Sequence, residues 1–371
     1  MNSRERFELT IEHREPDRVP VDLGGSIVTS LTAGAYEQLA EYKELDAEAE
    51  MIDIVQGLIE PPEILKQEYG CDFARLAMGD PEGWELEIKD GRFADEFGIV
   101  RQQAGIYYDI VEFPLADADI DDLETFDWPD PSDPGRTEGL KKKARQLYQE
   151  SDYVLIADMI FGGLFEQAQR LRGYENFMLD LKMNQKFAHA LLDKLLEIYT
   201  DFYRKYIDAV GDYVHIFALA DDLGTQNNLM ISPQTYREFI KPRQRELYDF
   251  IREKSGETSI FHHSCGAIFP LIGDLIEIGV DILQSVQTSA AGMDPEKLKQ
   301  EYGSDITFHG AIDVQQMLPK AEPREVKEKC QEIIEIMSED GGYIFSPAHN
   351  IQPDTPPENI EAMFAAVREV N

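Results

Sequence analysis

From residue 153 onward, short apolar runs alternate with long amphipathic stretches. The runs cover 153–157, 214–219, 258–263, 280–284, 306–310 and 343–346, and between them lie helical patterns such as 175–210 and 233–254. Strand, helix, strand repeated this often implies a parallel sheet, because a crossover helix is the usual way to bring a chain back to a parallel neighbour. The runs are apolar at nearly every position rather than at alternate ones, so both faces of the sheet are expected to be covered. No Gly-x-Gly-x-x-Gly follows the first run, which leaves a dinucleotide-binding sheet without its phosphate loop. The expected fold is α/β, a (β/α)8 TIM barrel.

Residues 1–371 read as a single barrel domain, with 1–135 supplying N-terminal helical and β-hairpin additions and 136–371 the main part of the barrel. Trp84, Leu86 and Ile88 alternate with polar residues up to the turn pair Asp90-Gly91, and strand-like residues resume at 97–100 and 106–111. This predicts a β excursion ahead of the barrel. Asp127-Trp128-Pro129-Asp130-Pro131-Ser132-Asp133-Pro134-Gly135 is too rich in proline for helix or central strand and reads as an extended connector, with a helix starting near Thr137.

In a barrel of parallel strands, the loops after the strands gather at one mouth and carry the reacting groups. The polar residues of this chain fall there: Asp221 and Asp222, then His263 and Cys265, then His309 and Asp313, and last His349. A histidine and a cysteine two residues apart can present imidazole nitrogen and thiolate sulfur to one borderline-soft ion, and His349 as a third ligand makes an open, catalytic-type zinc site. A cysteine of this kind is about as often structural, packed in a buried turn; two histidines at the same mouth tilt the balance toward metal. Successive strand residues face opposite ways, so His263 shares a side with Cys265 and is the expected ligand, while His262 points to the outer layer.

Asp221 and Asp222 are candidates for a further ligand, for support of a ligand histidine, or for a base; the plain alternative is a carboxylate pair at a helix start. Cys330 lies at helical spacing with Val326, Ile333, Ile334 and Met337 and is expected in the core. Cys71 is expected to be structural, and His13, His189 and His215 belong to no constellation. Lys141-Lys142-Lys143 reads as a solvated helix face.

With 72 Asp+Glu against 35 Lys+Arg, the formal net charge is -37. Such a surface repels a phosphate backbone or an anionic bilayer, which disfavours nucleic-acid and membrane roles. The three cysteines form an odd, sparse set that argues against a disulfide framework and for a reducing compartment. No apolar leader follows Met1, so a cytoplasmic location is expected.

Arg14-Glu15-Pro16-Asp17-Arg18-Val19-Pro20-Val21-Asp22, Asp221-Asp222-Leu223-Gly224-Thr225-Gln226, Ile231-Ser232-Pro233, His263-Ser264-Cys265-Gly266 and Pro356-Pro357-Glu358-Asn359-Ile360 occur in this order. Together they make the chain, over essentially its whole length, resemble the uroporphyrinogen decarboxylase superfamily, and within it the zinc-dependent, corrinoid-linked methyltransferase branch. Asp95-Glu96-Phe97-Gly98, Pro114-Leu115 and Trp128-Pro129-Asp130-Pro131 are similar to segments of O-demethylase methyltransferase components.

The resemblance implies a (β/α)8 barrel with N-terminal additions, and zinc on His263 and Cys265. In that branch a later cysteine completes the set; here His349, in Ser346-Pro347-Ala348-His349, stands in its place. One thiolate fewer makes the metal a stronger Lewis acid, so a leaving group other than a simple thiol is expected. The implied reaction, a step of one-carbon metabolism, moves a methyl group between a small methylated compound, such as a methoxylated one, and the corrinoid (methylcobamide) of a separate protein. Asp221 or Asp222 would manage the proton on the methyl-bearing heteroatom. The expected partners are that substrate and the corrinoid protein, with a homodimer as the self-association considered.

True uroporphyrinogen decarboxylases share an Arg-Gln-Ala-Gly-Arg motif near the start. Residues 21–26 offer none of it, and Arg101-Gln102-Gln103-Ala104-Gly105 lacks the second arginine. A pocket for a carboxylate-rich porphyrinogen should be cationic. Porphyrin decarboxylation is therefore the second reading, and a barrel that binds a ligand or corrinoid protein without turnover is the third.

Overall fold

The computed structural model describes residues 1–369. Seven parallel strands, Phe73–Leu76, Val154–Ala157, Ile216–Ala220, Ser259–His263, Ile282–Ser285, Thr307–Ile312 and Tyr343–Pro347, form one sheet whose spatial order follows the sequence. The last six match the six apolar runs. Residues 20–22 bridge the sheet's two edges: Phe345 N–H donates to Pro20 O at 2.8 Å, Asp22 N–H to Phe345 O at 2.9 Å, and Asp72 N–H to Val21 O at 2.8 Å. An eighth extended segment thus completes the barrel.

Two barrel members therefore come from the first 135 residues, where only additions were expected. Phe73-Ala74-Arg75-Leu76 carries an arginine and an alanine among four residues, and residues 20–22 are shorter still, so neither reads as an apolar run. The other runs are continuous because both faces are buried. Phe73, Ile156, Ile216, Phe261, Ile282 and Ile344 fill the barrel interior, while Leu155, Phe217, Ile260, Leu283, Phe308 and Phe345 pack under the helices.

The longest helix, Gln185–Val210, anchors its inner face with phenols at helical spacing. The hydroxyls of Tyr199, Tyr203 and Tyr206 donate to Gly162 O at 2.6 Å, Ala218 O at 2.9 Å and Leu76 O at 2.6 Å, so each buried phenol is satisfied. No helix of the described residues is long and apolar enough to cross a membrane.

The β excursion is a three-stranded antiparallel sheet of Arg92–Ala94, Val100–Ala104 and Tyr107–Glu112. Asp90 and Gly91 both have positive φ, 52° and 72°, as a type I′ turn requires, yet this turn closes only a single bridge between Lys89 and Arg92. The alternating residues 84–88 form no strand, and 97–100 is strand only at Val100, because the chain turns at Gly98 with φ 74°. The sheet leans on the loop before it: Tyr108 N–H donates to Val55 O at 3.3 Å. After the proline-rich connector, the expected helix runs Leu140–Glu150.

His215 sits at the barrel wall, its Nδ1 accepting Leu155 N–H at 3.0 Å. Burial, helped by the charge of Arg4, pulls its imidazole down to about 4. The folded state thus favours the neutral ring, and its contribution to stability is full above the unfolded value near 6.5 and fades as pH falls toward 4. The stability difference between wild type and His215→Gln should shrink by about 2 kcal/mol between pH 7 and pH 5 in urea titrations. A difference independent of pH would refute this account.

Candidate metal centre

Strand register builds the site. His263 lies opposite Ala220 on one side and Gln284 on the other, and shares its inward face with Phe261 two residues earlier. Its Nδ1 hydrogen-bonds to Gln284 Oε1, and Gln284 Nε2 donates to Ala348 O at 3.1 Å. One buried amide therefore orients His263 and ties it to the segment carrying His349. His349 Nδ1 accepts Asn350 N–H at 2.8 Å. Both rings keep Nε2 for another partner.

Cys265 Sγ is 3.5 Å from His263 Nε2, and one ligand atom from each of His263, Cys265 and His349 lies within 4.8 Å of the others. A tetrahedral ion with Zn–N near 2.0 Å and Zn–S near 2.3 Å would separate N and S by about 3.5 Å. The donor set fits zinc, and the Cys265–His263 pair already has the spacing of two of its ligands. Burial pulls the His349 imidazole down to about 4, with His263 adding to the effect, so the ring is neutral and able to ligate at pH 7. Burial pushes the Cys265 thiol up, and the Asp222 carboxylate adds to that.

Two loops meet at this cluster through glycine. Gly266 has φ +88°, and a Cβ there would stand 2.5 Å from the backbone carbon of Gly224. This close approach seats Asp222 beside Cys265: Asp222 Oδ1 accepts Cys265 N–H at 2.8 Å and lies 3.5 Å from His263 Nε2. Two cavities meet here, one of about 570 Å³ lined by Cys265, Tyr107 and Gln287, the other of about 430 Å³ lined by His263, Asp222 and Arg170. They share Val55, Gln56 and His349.

The sequence model of the uroporphyrinogen decarboxylase (URO-D) family matches residues 105–370. The chain belongs to this family. A methylated-thiol–coenzyme M methyltransferase of Methanosarcina mazei is 28% identical over 248 residues, covering 66% of this chain and 62% of that protein. The match thus spans less than two thirds of that relative's length. A uroporphyrinogen decarboxylase of Magnetococcus marinus is 24% identical over 383 residues, covering 100% of this chain and 97% of that protein. A solved methyltransferase from Methanosarcina mazei superposes with a TM-score of 0.66 at 19% identity, covering 100% of this chain and 99% of that one, a likeness of fold. The URO-D relatives matched here are enzymes of two kinds, methyltransferase and decarboxylase.

On this URO-D barrel the two adjacent aspartates part company. Asp222 reaches the mouth. Asp221 turns away, fully buried: it accepts Phe165 N–H at 3.1 Å, Glu166 N–H at 3.0 Å and Gln244 Nε2 at 3.1 Å, closing the start of helix Leu164–Arg172. Burial pushes its carboxyl up to about 8 against those N–H donors. His262 faces outward, its Nδ1 2.7 Å from Tyr248 Oη, and burial pulls it down to about 3.

His309 is not at the mouth but inside the barrel, with Nε2 3.0 Å from Asp22 Oδ2 and its ring edge-on to Phe261. Asp313 lines the wider cavity and caps its own turn by accepting Gln315 N–H at 2.8 Å. Cys71 and Cys330 are free and buried. Sequence reasoning missed Gln284, although a lone amide closing an otherwise apolar run was a readable signal. It weighed Arg101 only as the start of an incomplete decarboxylase motif, whereas the β excursion carries it into the narrower cavity.

Proposed function

We propose that this chain is a zinc-dependent methyltransferase that moves a methyl group between a small methylated compound and a corrinoid carried by a separate protein. The observation that carries this reading is the triad of His263, Cys265 and His349, with each histidine's Nδ1 already engaged and its Nε2 left for the ion. Zinc, when bound, supplies Lewis acidity to the heteroatom that bears or receives the methyl group.

The remaining work falls to the chain itself. Three protein donors leave a position for substrate, which is the pattern of catalytic rather than structural zinc. Gln284 holds the His263 ring and its tautomer. Asp222, one oxygen anchored on Cys265 N–H, takes or returns the proton on the heteroatom. The narrower cavity, about 430 Å³, suits a small substrate, and the wider one on the Cys265 side leaves room for the methyl carrier.

The full-length match to a decarboxylase favours a second reading, porphyrinogen decarboxylation. Against it, the segment at residues 21–30 is bound to the barrel rather than offering cations. Ser26 Oγ and Ile27 N–H donate to Asp158 at 2.6 and 2.9 Å, and Arg75 Nε donates to the same carboxylate at 2.5 Å. Arg75 is thus committed to an internal ion pair.

Metal analysis of the purified chain should give about one zinc per chain. Methyl transfer to or from free cobalamin should stop on chelation and return with added zinc. Decarboxylation of uroporphyrinogen that survives a strong chelator would overturn the proposal, and a chain with neither zinc nor turnover would point to a non-catalytic binding barrel.

A further inference from the structure

Arg101, on strand Val100–Ala104, carries a side chain that is only 11% exposed. Its guanidinium makes no hydrogen bond to any described residue: Nε is buried without a partner, and the nearest carboxylate oxygen, Asp95 Oδ2, lies 3.7 Å away. A buried guanidinium left in this state costs free energy that a ligand can recover.

The acids around it favour its charge, Asp95 and Asp53 among them, but none hydrogen-bonds its guanidinium. Asp53 accepts Val55 N–H at 2.8 Å and Gln56 N–H at 3.3 Å, and Asp95 accepts Phe97 N–H at 3.0 Å and Ile99 N–H at 3.1 Å. Glu166 pairs with Arg170. Arg170 lines the same cavity as Arg101, and after burial its charge is the largest influence lowering the Arg101 guanidinium. Two guanidiniums facing one cavity, Arg101 without a hydrogen bond and Arg170 shared with Glu166, offer N–H donors to an anion.

We infer that the methyl-bearing substrate is a small carboxylic acid, whose carboxylate is held by Arg101 and Arg170 in the cavity that His263, His349 and Asp222 also line. The planar guanidinium fork matches a carboxylate with two parallel N–H···O bonds. Ile27, Val28, Met159 and Phe161 line the rest of the cavity and suit an apolar body. Asp53, Glu166 and Asp222 face the same space, which favours a monoanion over a doubly charged phosphate. Naming this ligand as the methyl donor or acceptor rests on the methyltransferase reading, whereas the anion site itself does not.

The test is calorimetric titration of the full chain with three acids and their primary amides: methoxyacetate, 3-(methylthio)propionate and 4-methoxybenzoate. At least one acid should bind about 10-fold or more tighter than its amide, Arg101→Gln should erase that preference, and Arg101→Lys should keep part of it. No acid preferred over its amide, or a preference that survives Arg101→Gln, overturns the inference. Titration needs no corrinoid and no turnover, so the two proposals fail separately. Acid binding through Arg101 in a protein without methyl transfer refutes only the function. Methyl transfer that proceeds equally well with the amides refutes only the anion site.

Discussion

Replacing Cys265 with alanine is expected to remove stoichiometric zinc and to lower methyl transfer by well over about 10²-fold. Loss of an outer partner that merely orients a ligand already costs roughly 10–100-fold in metal affinity or activity, and Cys265 is itself a donor. The comparison can be made within this site. Gln284→Leu keeps all three donors but frees the His263 ring, and should fall in that 10–100-fold range. A graded series, with Gln284→Leu mild and Cys265→Ala severe in both zinc content and rate, is what the geometry requires. If Cys265→Ala kept one zinc per chain after gel filtration and near-native turnover, the ligand set would be wrong.

What could be read in the sequence divides along physical lines. Six barrel strands were legible because burial on both faces leaves a continuous apolar run, whose length and spacing mark a parallel sheet. Phe73–Leu76 escaped because Arg75, inside the strand, turns to Asp158 and breaks the apolar signal. Residues 20–22 escaped because three residues carry no periodicity, and only their hydrogen bonds to Phe345 and Asp72 identify them.

At the site, alternation along strand Ser259–His263 was enough to separate His263 from His262, since facing is a local property of a strand. Arg101 was out of reach for the opposite reason. Its place in the cavity depends on how a separate three-stranded sheet leans over the mouth, and no local pattern encodes that. His309 shows the same limit from the other side: a polar residue in a barrel strand can point into the interior below the mouth, where Asp22 meets it.

Asp221 and Asp222 give the second large contrast, because neighbouring residues of one type do different work here. Asp222→Asn keeps an oxygen to accept Cys265 N–H but loses the charge that receives a proton, so kcat should fall by about 10²–10⁴-fold with little change in thermal stability. Asp221→Ala strips acceptors from Phe165 N–H, Glu166 N–H and Gln244 Nε2 in a fully buried setting. It should cost about 3 kcal/mol of stability, while turnover per folded molecule at a permissive temperature stays near wild type. Rates and melting curves on the two variants separate the roles. If Asp221→Ala lowered kcat as far as Asp222→Asn without loss of stability, the buried aspartate would be acting in the chemistry and not only as the closure of a helix.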